Sequence, residues 1–153
     1  MTIISACLIG INCAYHGKSN LIESLLHDLE PGELIPICPE QLGGLTTPRD
    51  RARLVGGDGW AFWKEMADVV TVHGENVSQQ YRRGGLEALK IAKLFSVGRA
   101  ILKANSPSCG CGGIFNETVS DVVPGDGTTT ALFKANGIEV VSEEQYQRSR
   151  SFE

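Results

Sequence analysis

Short apolar runs rich in β-branched residues recur along the chain. They occupy residues 2–6, 34–37, 100–103 and 138–141. Runs of this length and composition are typical of buried strands. The sequence therefore predicts four strands, spread from the first residues to near the end of the chain.

Between these runs, apolar positions recur with helical spacing. Five of them share one face of a first helix: Leu21, Ile22, Leu25, Leu26 and Leu29. Ser19 or Asn20 is expected to cap its start. Further helices are expected over residues 60–67, 78–95, 127–136 and 143–150. The last of these should begin at Ser142, with Gln145 completing a capping box.

The alternation of strands with helices predicts a parallel sheet that is covered on both faces. The Asn136-Gly137 pair is expected to end a helix just before the last strand, and the glycine-rich residues 55–59 to form a surface loop. No internal repeat, linker or low-complexity segment interrupts this pattern. We therefore expect residues 1–153 to form one three-layer α/β domain of the Rossmann-like kind, with about four parallel strands.

The chain has 153 residues, a formal net charge of −4 and a pI near 5.4. It lacks the basic character that binding to a nucleic-acid polymer requires, so no such partner is expected. No signal peptide is visible, and no stretch approaches the ~20 apolar residues that span a bilayer. We therefore expect a cytoplasmic location, where the five cysteines stay free, bind metal or carry out redox chemistry.

Three of the five cysteines follow predicted strands. Cys7 follows the first strand, Cys38 follows the second, and Cys109 lies a few residues beyond the third. Ligands of open parallel sheets bind at the carboxyl ends of the strands, so these three thiols are expected to meet. The alternative is that they are small core residues, because free cysteine is often buried. Cys13 and Cys111 lie in predicted loops, and Cys111 is close enough to Cys109 to be an additional ligand.

A site with three thiols restricts the choice of metal. Structural zinc sites usually have four ligands with paired C-x-x-C spacing, and the sequence has no such pair. Thiolates also hold iron–sulfur clusters, normally through four cysteines. A cluster held by only three would leave one iron open to act as a Lewis acid on a substrate.

Two charged residues belong to the segment that begins at Cys38. Glu40 follows Cys38 by two residues, which is close enough to a metal site for acid–base chemistry. The alternative is a solvated charge, or one favoured by the dipole at a helix N-terminus. Arg49 offers a planar fork for an anion.

Residues 103–113 leave the third predicted strand and are rich in Ser, Pro and Gly. This composition is also that of a simple turn. The segment nevertheless supplies hydrogen-bond donors for a polar ring or a phosphate, and either Ser106 or Ser108 is a candidate for proton transfer. Lys18, beside the start of the first predicted helix, is a further candidate for anion binding. The histidines form no recognisable triad, and the P-loop and dinucleotide glycine patterns are absent.

The sequence resembles the thiouracil desulfidase family of bacterial proteins in three segments: Ser5-Ala6-Cys7-Leu8; Cys38-Pro39-Glu40 with Gly43-Gly44-Leu45 and Pro48-Arg49; and Leu102-Lys103 with Ser106-Pro107-Ser108-Cys109-Gly110. The resemblance covers nearly the whole chain. It implies a 4Fe-4S cluster held by Cys7, Cys38 and Cys109. It also implies that Glu40 and Ser106 are catalytic residues.

The implied activity is that of a non-redox desulfidase. It would convert 4-thiouracil, or 4-thiouridine monophosphate, to the oxo pyrimidine with release of sulfide. The expected substrate-binding residues are Lys18, Arg49, Lys103, Asn105 and Ser108. The alternatives are a non-catalytic metal-binding or redox-sensing thiol protein, and a desulfidase of thiolated nucleosides within RNA. The sequence predicts no particular oligomeric state.

The chain departs from the family pattern in two segments. Ala14-Tyr15-His16-Gly17 stands where the family usually has Arg-Tyr-Asp-Gly. Phe115-Asn116-Glu117-Thr118-Val119 stands where it tends to have Tyr-Asp-Gly-Thr-Phe. Both segments are expected to be loops that contact the substrate, so a different substrate preference is expected.

Overall fold

The computed structural model describes residues 1–151. Its strands are β1 (Thr2–Ser5), β2 (Leu34–Ile37), β3 (Ala52–Val55), β4 (Asp68–Thr71), β5 (Arg99–Leu102), β6 (Gly113–Phe115), β7 (Val122–Pro124) and β8 (Glu139–Ser142). Its α-helices are α1 (Glu23–Asp28), α2 (Pro39–Leu42), α3 (Gly59–Trp63), α4 (Ser78–Leu94), α5 (Thr128–Ala135) and α6 (Glu143–Arg150). A 3-10 turn, Ala6–Ile9, follows β1 directly, and a second, Pro31–Glu33, precedes β2.

Four strands form the central sheet, in the order β2-β1-β5-β8, and every neighbouring pair is parallel. Ser5 at the end of β1 lies opposite Ile37 at the end of β2, so the two strands end level with each other. The predicted four-stranded parallel sheet is confirmed. The bounds of β2 agree with the prediction, and the other three strands differ from it by one residue at one or both ends.

Helices cover both faces of this sheet, as predicted. On one face, Ile3 packs in a buried cluster with Phe133 of α5 and with residues of α4. On the other face, Ile4 packs with Leu25 of α1 and Tyr146 of α6. Neighbouring residues of one strand are therefore buried on opposite sides, which explains the nearly continuous apolar runs in the sequence.

Two antiparallel pairs, β3–β4 and β6–β7, lie outside the central sheet and were not predicted. Each strand has only three or four residues, and β7 is exposed along its whole length. Such segments carry too little periodicity to be distinguished from loops. The predicted glycine-rich loop is shorter than expected, because Val55 ends β3 and Gly59 begins α3.

The predicted cap of the first helix is wrong. The N–H of Asn20 donates to the carbonyl of Cys7 at 2.9 Å, and the N–H of Ile22 to that of Leu8 at 3.0 Å. These bonds hold residues 20–22 against the turn that follows β1, so α1 begins only at Glu23. Ile22 occupies the cap position without a side-chain hydrogen bond, and neither Ser19 nor Asn20 serves as the cap.

The other helix predictions differ less from the structure. Helix α3 ends at Trp63 rather than at residue 67, because the N–H groups of Lys64 and Met66 both return to the Ala61 carbonyl. Helices α4, α5 and α6 agree with the prediction to within one residue at each end. Ser142 and Gln145 form the predicted capping box. No helix within residues 1–151 is long and apolar enough to cross a bilayer.

Helices α2 and α4 pack unusually closely, because Gly43, which caps the end of α2, and Gly84 of α4 each face the backbone of the other helix. A Cβ atom added to Gly84 would lie 1.9 Å from the carbonyl oxygen of Pro39, and one added to Gly43 would lie 1.9 Å from that of Gln80. No real side chain tolerates such a distance. This contact fixes the position of α2, which begins directly after Cys38 and carries Glu40.

Candidate active site

The three cysteines that follow the central strands line one cavity of about 270 Å³ at the carboxyl ends of these strands. Cys7 lies in the turn after β1, Cys38 lies between β2 and α2, and Cys109 lies in the loop after β5. These strands are adjacent and parallel, so their ends bring together residues that are far apart in sequence. The structure therefore gathers the three strand-end thiols around a common space.

Cys13 belongs to the same cavity, although Cys111 was the loop cysteine expected as an additional ligand. It is buried, with 1% of its surface exposed, and its carbonyl accepts from the Cys38 thiol at 3.8 Å. Cys111 does not line the cavity. Its thiol donates to the carbonyl of Val140 at 3.4 Å and packs against the core beneath α4 and α5.

The thiols of the cavity differ in acidity. A hydrogen bond with Cys13 lowers the pKa of Cys38 to about 7, although burial and the charge of Glu40 act to raise it. The same neighbour lowers the pKa of Cys7, and both contacts raise the pKa of Cys13 itself. Burial, together with Glu40, raises the pKa of Cys109 to about 12. Binding of a metal to Cys109 therefore requires removal of a proton from it.

Glu40 lies in the first turn of α2 and faces three hydrogen-bond donors. Its Oε2 accepts from the Arg49 guanidinium at 2.5 Å, and its Oε1 accepts from the hydroxyls of Tyr81 at 3.0 Å and Ser108 at 2.9 Å. A carboxylate has about four acceptor positions, so one stays open. The Glu40 side chain is 15% exposed and lines the cavity. The open position is thus available to water or a ligand.

The two candidate serines have different contacts. Ser108 is buried, with its hydroxyl between Glu40 and the sulfur of Cys109, which lies 3.5 Å away. The Ser106 oxygen accepts from the backbone N–H of Cys109 at 2.8 Å and lies 3.4 Å from that of Ser108. Ser108 therefore has the direct contact with the carboxylate, and Ser106 stabilises the loop that carries Cys109.

Arg49 is almost fully enclosed, with 7% of its side chain exposed. Besides Glu40, its guanidinium donates to the carbonyls of Cys13 at 2.9 Å and Thr46 at 3.2 Å. Burial acts to lower its pKa, but Glu40 and Cys38 outweigh this and raise it. The fork predicted for an external anion is thus occupied by the protein's own groups. Arg49 therefore connects α2, which carries Glu40, to the loop that carries Cys13.

The remaining predicted binding residues are divided between the cavity and its surroundings. Lys103 and Asn105 line it, and the Lys103 ammonium pairs with Glu143 at 3.0 Å. Lys18 does not line it. The Asn105 backbone is left-handed, with φ of 71°, where the chain turns from β5 towards β6.

Two residues of the site were not found from the sequence. Tyr81 is a buried phenol on α4, and burial followed by the charge of Glu40 raises its pKa well above 10. Arg51 lines the cavity, with its guanidinium 4.8 Å from the Phe115 ring centre and 5.5 Å from that of Tyr15. Neither lies in a local motif. A polar aromatic residue among the buried positions of α4 was the only available signal for Tyr81.

Sulfur is the characteristic donor atom of this cavity. Within residues 1–151, no three His, Cys, Asp or Glu side chains are grouped closely enough to hold one metal ion. In a 4Fe-4S cluster each cysteine binds a different iron, so the thiolates stand further apart than around a single ion. The thiols at the three strand ends therefore suit such a cluster better than a single metal.

The fold and the cavity together define an α/β protein with a thiol-lined pocket and a carboxylate–hydroxyl pair within it. The model of the 2-thiouracil desulfurase family matches residues 2–145, and the chain belongs to this family. The membership predicted from the motifs is confirmed.

Two relatives cover nearly the whole chain. The uncharacterised protein YbbK of Bacillus subtilis (strain 168) is 40% identical over 146 residues, which span 95% of this chain and 97% of that protein. The solved structure of the 4Fe-4S-dependent thiouracil desulfidase TudS is 36% identical, with a TM-score of 0.81. It covers 96% of this chain, and the match spans 93% of TudS. The predicted α/β fold agrees with this structure.

Proposed function

We propose that this protein is a desulfidase that uses a 4Fe-4S cluster to remove sulfur from a thiolated pyrimidine. One observation carries the proposal: Glu40 and Ser108 form a hydrogen-bonded pair beside Cys109, in the cavity that also contains Cys7 and Cys38. Membership of the 2-thiouracil desulfurase family and the likeness to TudS, which is named as 4Fe-4S-dependent, support it.

Cys7, Cys38 and Cys109 are the proposed cluster ligands. All three end or follow adjacent strands, and all five cysteines of the chain are free. Free thiols agree with the cytoplasmic location that we propose. A cluster bound through three cysteines supplies an iron without a protein ligand, which is a Lewis acid for the substrate sulfur.

Glu40 is the proposed general base. Its carboxylate is held by Arg49 on one oxygen and by Tyr81 and Ser108 on the other, which leaves an acceptor position for water. We infer that it takes a proton from the water that attacks the thiocarbonyl carbon. The reaction consumes one water and gives the oxo pyrimidine and hydrogen sulfide. No electrons are gained or lost, so the chemistry is non-redox.

Ser108 is the hydroxyl that we propose for proton transfer with Glu40. It is the serine with the direct 2.9 Å contact, and its other neighbour is the sulfur of Cys109. The family resemblance implied that Ser106 is a catalytic residue. Its contact favours a structural role instead, because its oxygen accepts from the backbone N–H of Cys109. We propose that Arg49 positions Glu40. Lys103 and Asn105, which line the cavity, are the proposed substrate-binding residues.

The proposed substrate is a small molecule, 4-thiouracil or 4-thiouridine monophosphate. A cavity of about 270 Å³ lies just below the roughly 300–1,000 Å³ range of small-molecule sites, so it suits a small ligand. The acidic chain, with a net charge of −4, disfavours an RNA polymer as substrate.

The test is anaerobic purification followed by a sulfide-release assay with 4-thiouracil and with 4-thiouridine monophosphate. We expect a brown protein with about four irons and four sulfides per chain that releases sulfide from at least one substrate. Glu40→Gln should keep the cluster absorbance and lose turnover. Glu87→Gln is the matched control, because Glu87 is a carboxylate on the outer face of α4 that pairs with Lys90.

Two results would overturn the proposal. A colourless protein that binds zinc would indicate a metal-binding or redox-sensing thiol protein. Undiminished sulfide release by Glu40→Gln would remove Glu40 from the reaction. Replacement of any one of Cys7, Cys38 and Cys109 by Ser should lower the iron content. Iron content is a readout that does not depend on activity.

A further inference from the structure

Residues 106–110 form the Cys109 loop, which lies against the N-terminus of α5. The two are in direct backbone contact at Gly127, the residue before the first turn of α5. A Cβ atom added to Gly127 would lie 2.5 Å from the carbonyl carbon and oxygen of Ser108 and 2.9 Å from the nitrogen of Cys109. Only glycine fits at this position, so the approach of the loop to the helix is as close as the backbones allow.

The first backbone N–H groups of α5 all donate to the Cys109 loop. A helix leaves the N–H groups of its first turn without partners inside the helix, and α5 has no side-chain cap. The Thr128 N–H donates to the carbonyl of Pro107 at 2.8 Å. Those of Thr129 and Thr130 donate to the Ser108 carbonyl at 2.9 Å and 3.2 Å. The loop therefore caps the helix, and the helix in turn fixes the backbone of the loop.

Three consecutive threonines at the start of α5 are fully buried, but they use their hydroxyls differently. The Thr130 hydroxyl donates to the carbonyl of Cys109 at 2.8 Å. The hydroxyls of Thr128 and Thr129 have no hydrogen-bond partner among the residues that the structure describes. Thr130 is thus the one of these three whose side chain holds the residue that carries the proposed ligand.

The three proposed cluster ligands differ in how far they lie from the central sheet. Cys7 belongs to the turn that follows β1 directly, and Cys38 is the first residue after β2. Cys109 lies seven residues beyond Leu102, the last residue of β5. The end of β5 therefore cannot fix its position, and another element must do so. We propose that α5 is this element and that Thr130 is a positioning residue for Cys109 in the cluster site.

The inference rests on the proposed function, which makes Cys109 a ligand, and it adds a residue that does not line the cavity. The hydroxyl of Thr130 fixes the peptide that follows the Cα atom of Cys109, while Ser106 accepts from the N–H on the other side at 2.8 Å. Both peptide groups of Cys109 are thus held. The thiolate then keeps one direction towards the cluster, and loss of either bond should loosen this ligand before the others.

The test measures how tightly isosteric variants retain their cluster. Thr130→Val keeps the shape of the side chain and leaves the Cys109 carbonyl without its hydroxyl donor. On anaerobically purified, cluster-containing protein, we expect loss of iron to excess bathophenanthroline disulfonate, a chelator, to be about tenfold faster than in wild type. This factor is the effect expected from one buried hydrogen bond. The electron paramagnetic resonance spectrum of the reduced cluster should also change, because hydrogen bonding around a ligand tunes its metal.

Thr129→Val is the matched control. Thr129 is equally buried, but its hydroxyl has no partner, so the same replacement removes no hydrogen bond. It should keep the wild-type rate of iron loss and the wild-type spectrum. Thr130→Ser and Thr130→Ala form a second comparison, because they differ only in the hydroxyl. Thr130→Ser should resemble wild type in its spectrum and lose iron about tenfold more slowly than Thr130→Ala.

Three results would overturn the inference. They are a wild-type spectrum and rate in Thr130→Val, equal changes in Thr129→Val and Thr130→Val, and equal rates in Thr130→Ser and Thr130→Ala. The last comparison decides the matter if Thr130→Val does not fold. A wild-type protein without iron, or without sulfide release from either thio-substrate, would instead overturn the proposed function.

Discussion

The hydroxyl of Ser108 donates to Glu40 Oε1 at 2.9 Å, although 68 residues separate the two in sequence. Glu40 follows β2, and Ser108 belongs to the loop after β5, so the contact spans β1 in the central sheet. The same hydroxyl lies 3.5 Å from the sulfur of Cys109. The proposed general base and the proposed cluster ligand are therefore joined through one side chain.

Replacement of Ser108 should be more damaging than replacement of Ser106. Ser108→Ala removes the hydroxyl that contacts Glu40, and we expect kcat to fall by roughly 10²–10⁴-fold, the usual contribution of a positioned proton-transfer group. Ser106→Ala removes an acceptor for the Cys109 N–H and should have a smaller effect on kcat. Sulfide release and iron content are the measurements. A larger loss of kcat in Ser106→Ala would reverse the assignment.

Removal of the Tyr81 hydroxyl tests how Glu40 is positioned. Tyr81→Phe keeps the buried ring and removes the 3.0 Å hydrogen bond to Glu40 Oε1. We expect kcat to fall, the iron content to stay at the wild-type value, and the free energy of unfolding to decrease by about 1 kcal/mol. Because the pKa of Tyr81 is raised well above 10, the alkaline side of the pH–rate profile should not move in this variant. A shift there would show that Tyr81 itself titrates in the reaction.

The central sheet could be predicted because its strands carry an unambiguous signal. Ile3, Ile4 and Ile101 are fully buried on two opposite faces, and such strands read as continuous apolar runs in the sequence. The start of α1 could not be predicted, because Ser19 and Asn20 have suitable side chains for a cap. Tertiary hydrogen bonds from the turn after β1 determine the backbone there.

The site could be predicted only as far as strand ends determine it. Cys7, Cys38 and Cys109 follow from that rule. Cys13 and Cys111 both lie in predicted loops. Only the path of the backbone decides that Cys13 lines the cavity and Cys111 does not. Cys13 N–H donates to the Ile11 carbonyl at 2.8 Å, in the tight bend that follows the 3-10 turn. Arg51, immediately before β3, belongs to no motif and becomes recognisable only when its aromatic neighbours are known.

Cys13 and Cys111 should respond differently to substitution. We expect Cys13→Ser and Cys111→Ser both to keep about four irons per chain, because neither is a proposed ligand. Cys13→Ser should change the visible absorbance and the reduction potential of the cluster, since Cys13 lines the same cavity as Cys7 and Cys38. Cys111→Ser should leave both at the wild-type values. Loss of iron in Cys13→Ser alone would make Cys13 a ligand.

The glycine contact between α2 and α4 should be essential for both stability and cluster binding. Gly84→Ala places a methyl group 1.9 Å from the Pro39 carbonyl, so α2 must move away. We expect the free energy of unfolding to decrease by about 1–3 kcal/mol, the usual result of overpacking. Iron content should decrease with it, because Cys38 and Glu40 move with α2. Gly98→Ala, where an added Cβ has no atom within 4 Å, is the control and should stay within about 0.5 kcal/mol of wild type.

The ionisation of Asp126 should make the free energy of unfolding depend on pH under acidic conditions. Burial acts to raise its pKa, but hydrogen bonds from the Gly112 N–H at 2.8 Å, Trp60 and Lys134 outweigh this and lower it. A lowered pKa in the folded state means that the unfolded chain binds the proton more readily. The ionised Asp126 carboxylate therefore makes its full contribution to the free energy of unfolding above the unfolded-state pKa of about 3.9. This contribution is lost as the pH falls through the lower pKa of the folded state.

Urea unfolding of wild type and Asp126→Asn between pH 7 and pH 3 measures this contribution. At pH 7 we expect Asp126→Asn to be less stable by about 1–3 kcal/mol, since Lys134 loses its charged partner and a buried hydrogen-bond network is weakened. The difference between the two proteins should shrink as the pH falls below 4. A difference that stays constant down to pH 3 would mean that the Asp126 carboxylate gains no stability from its charge in the folded protein.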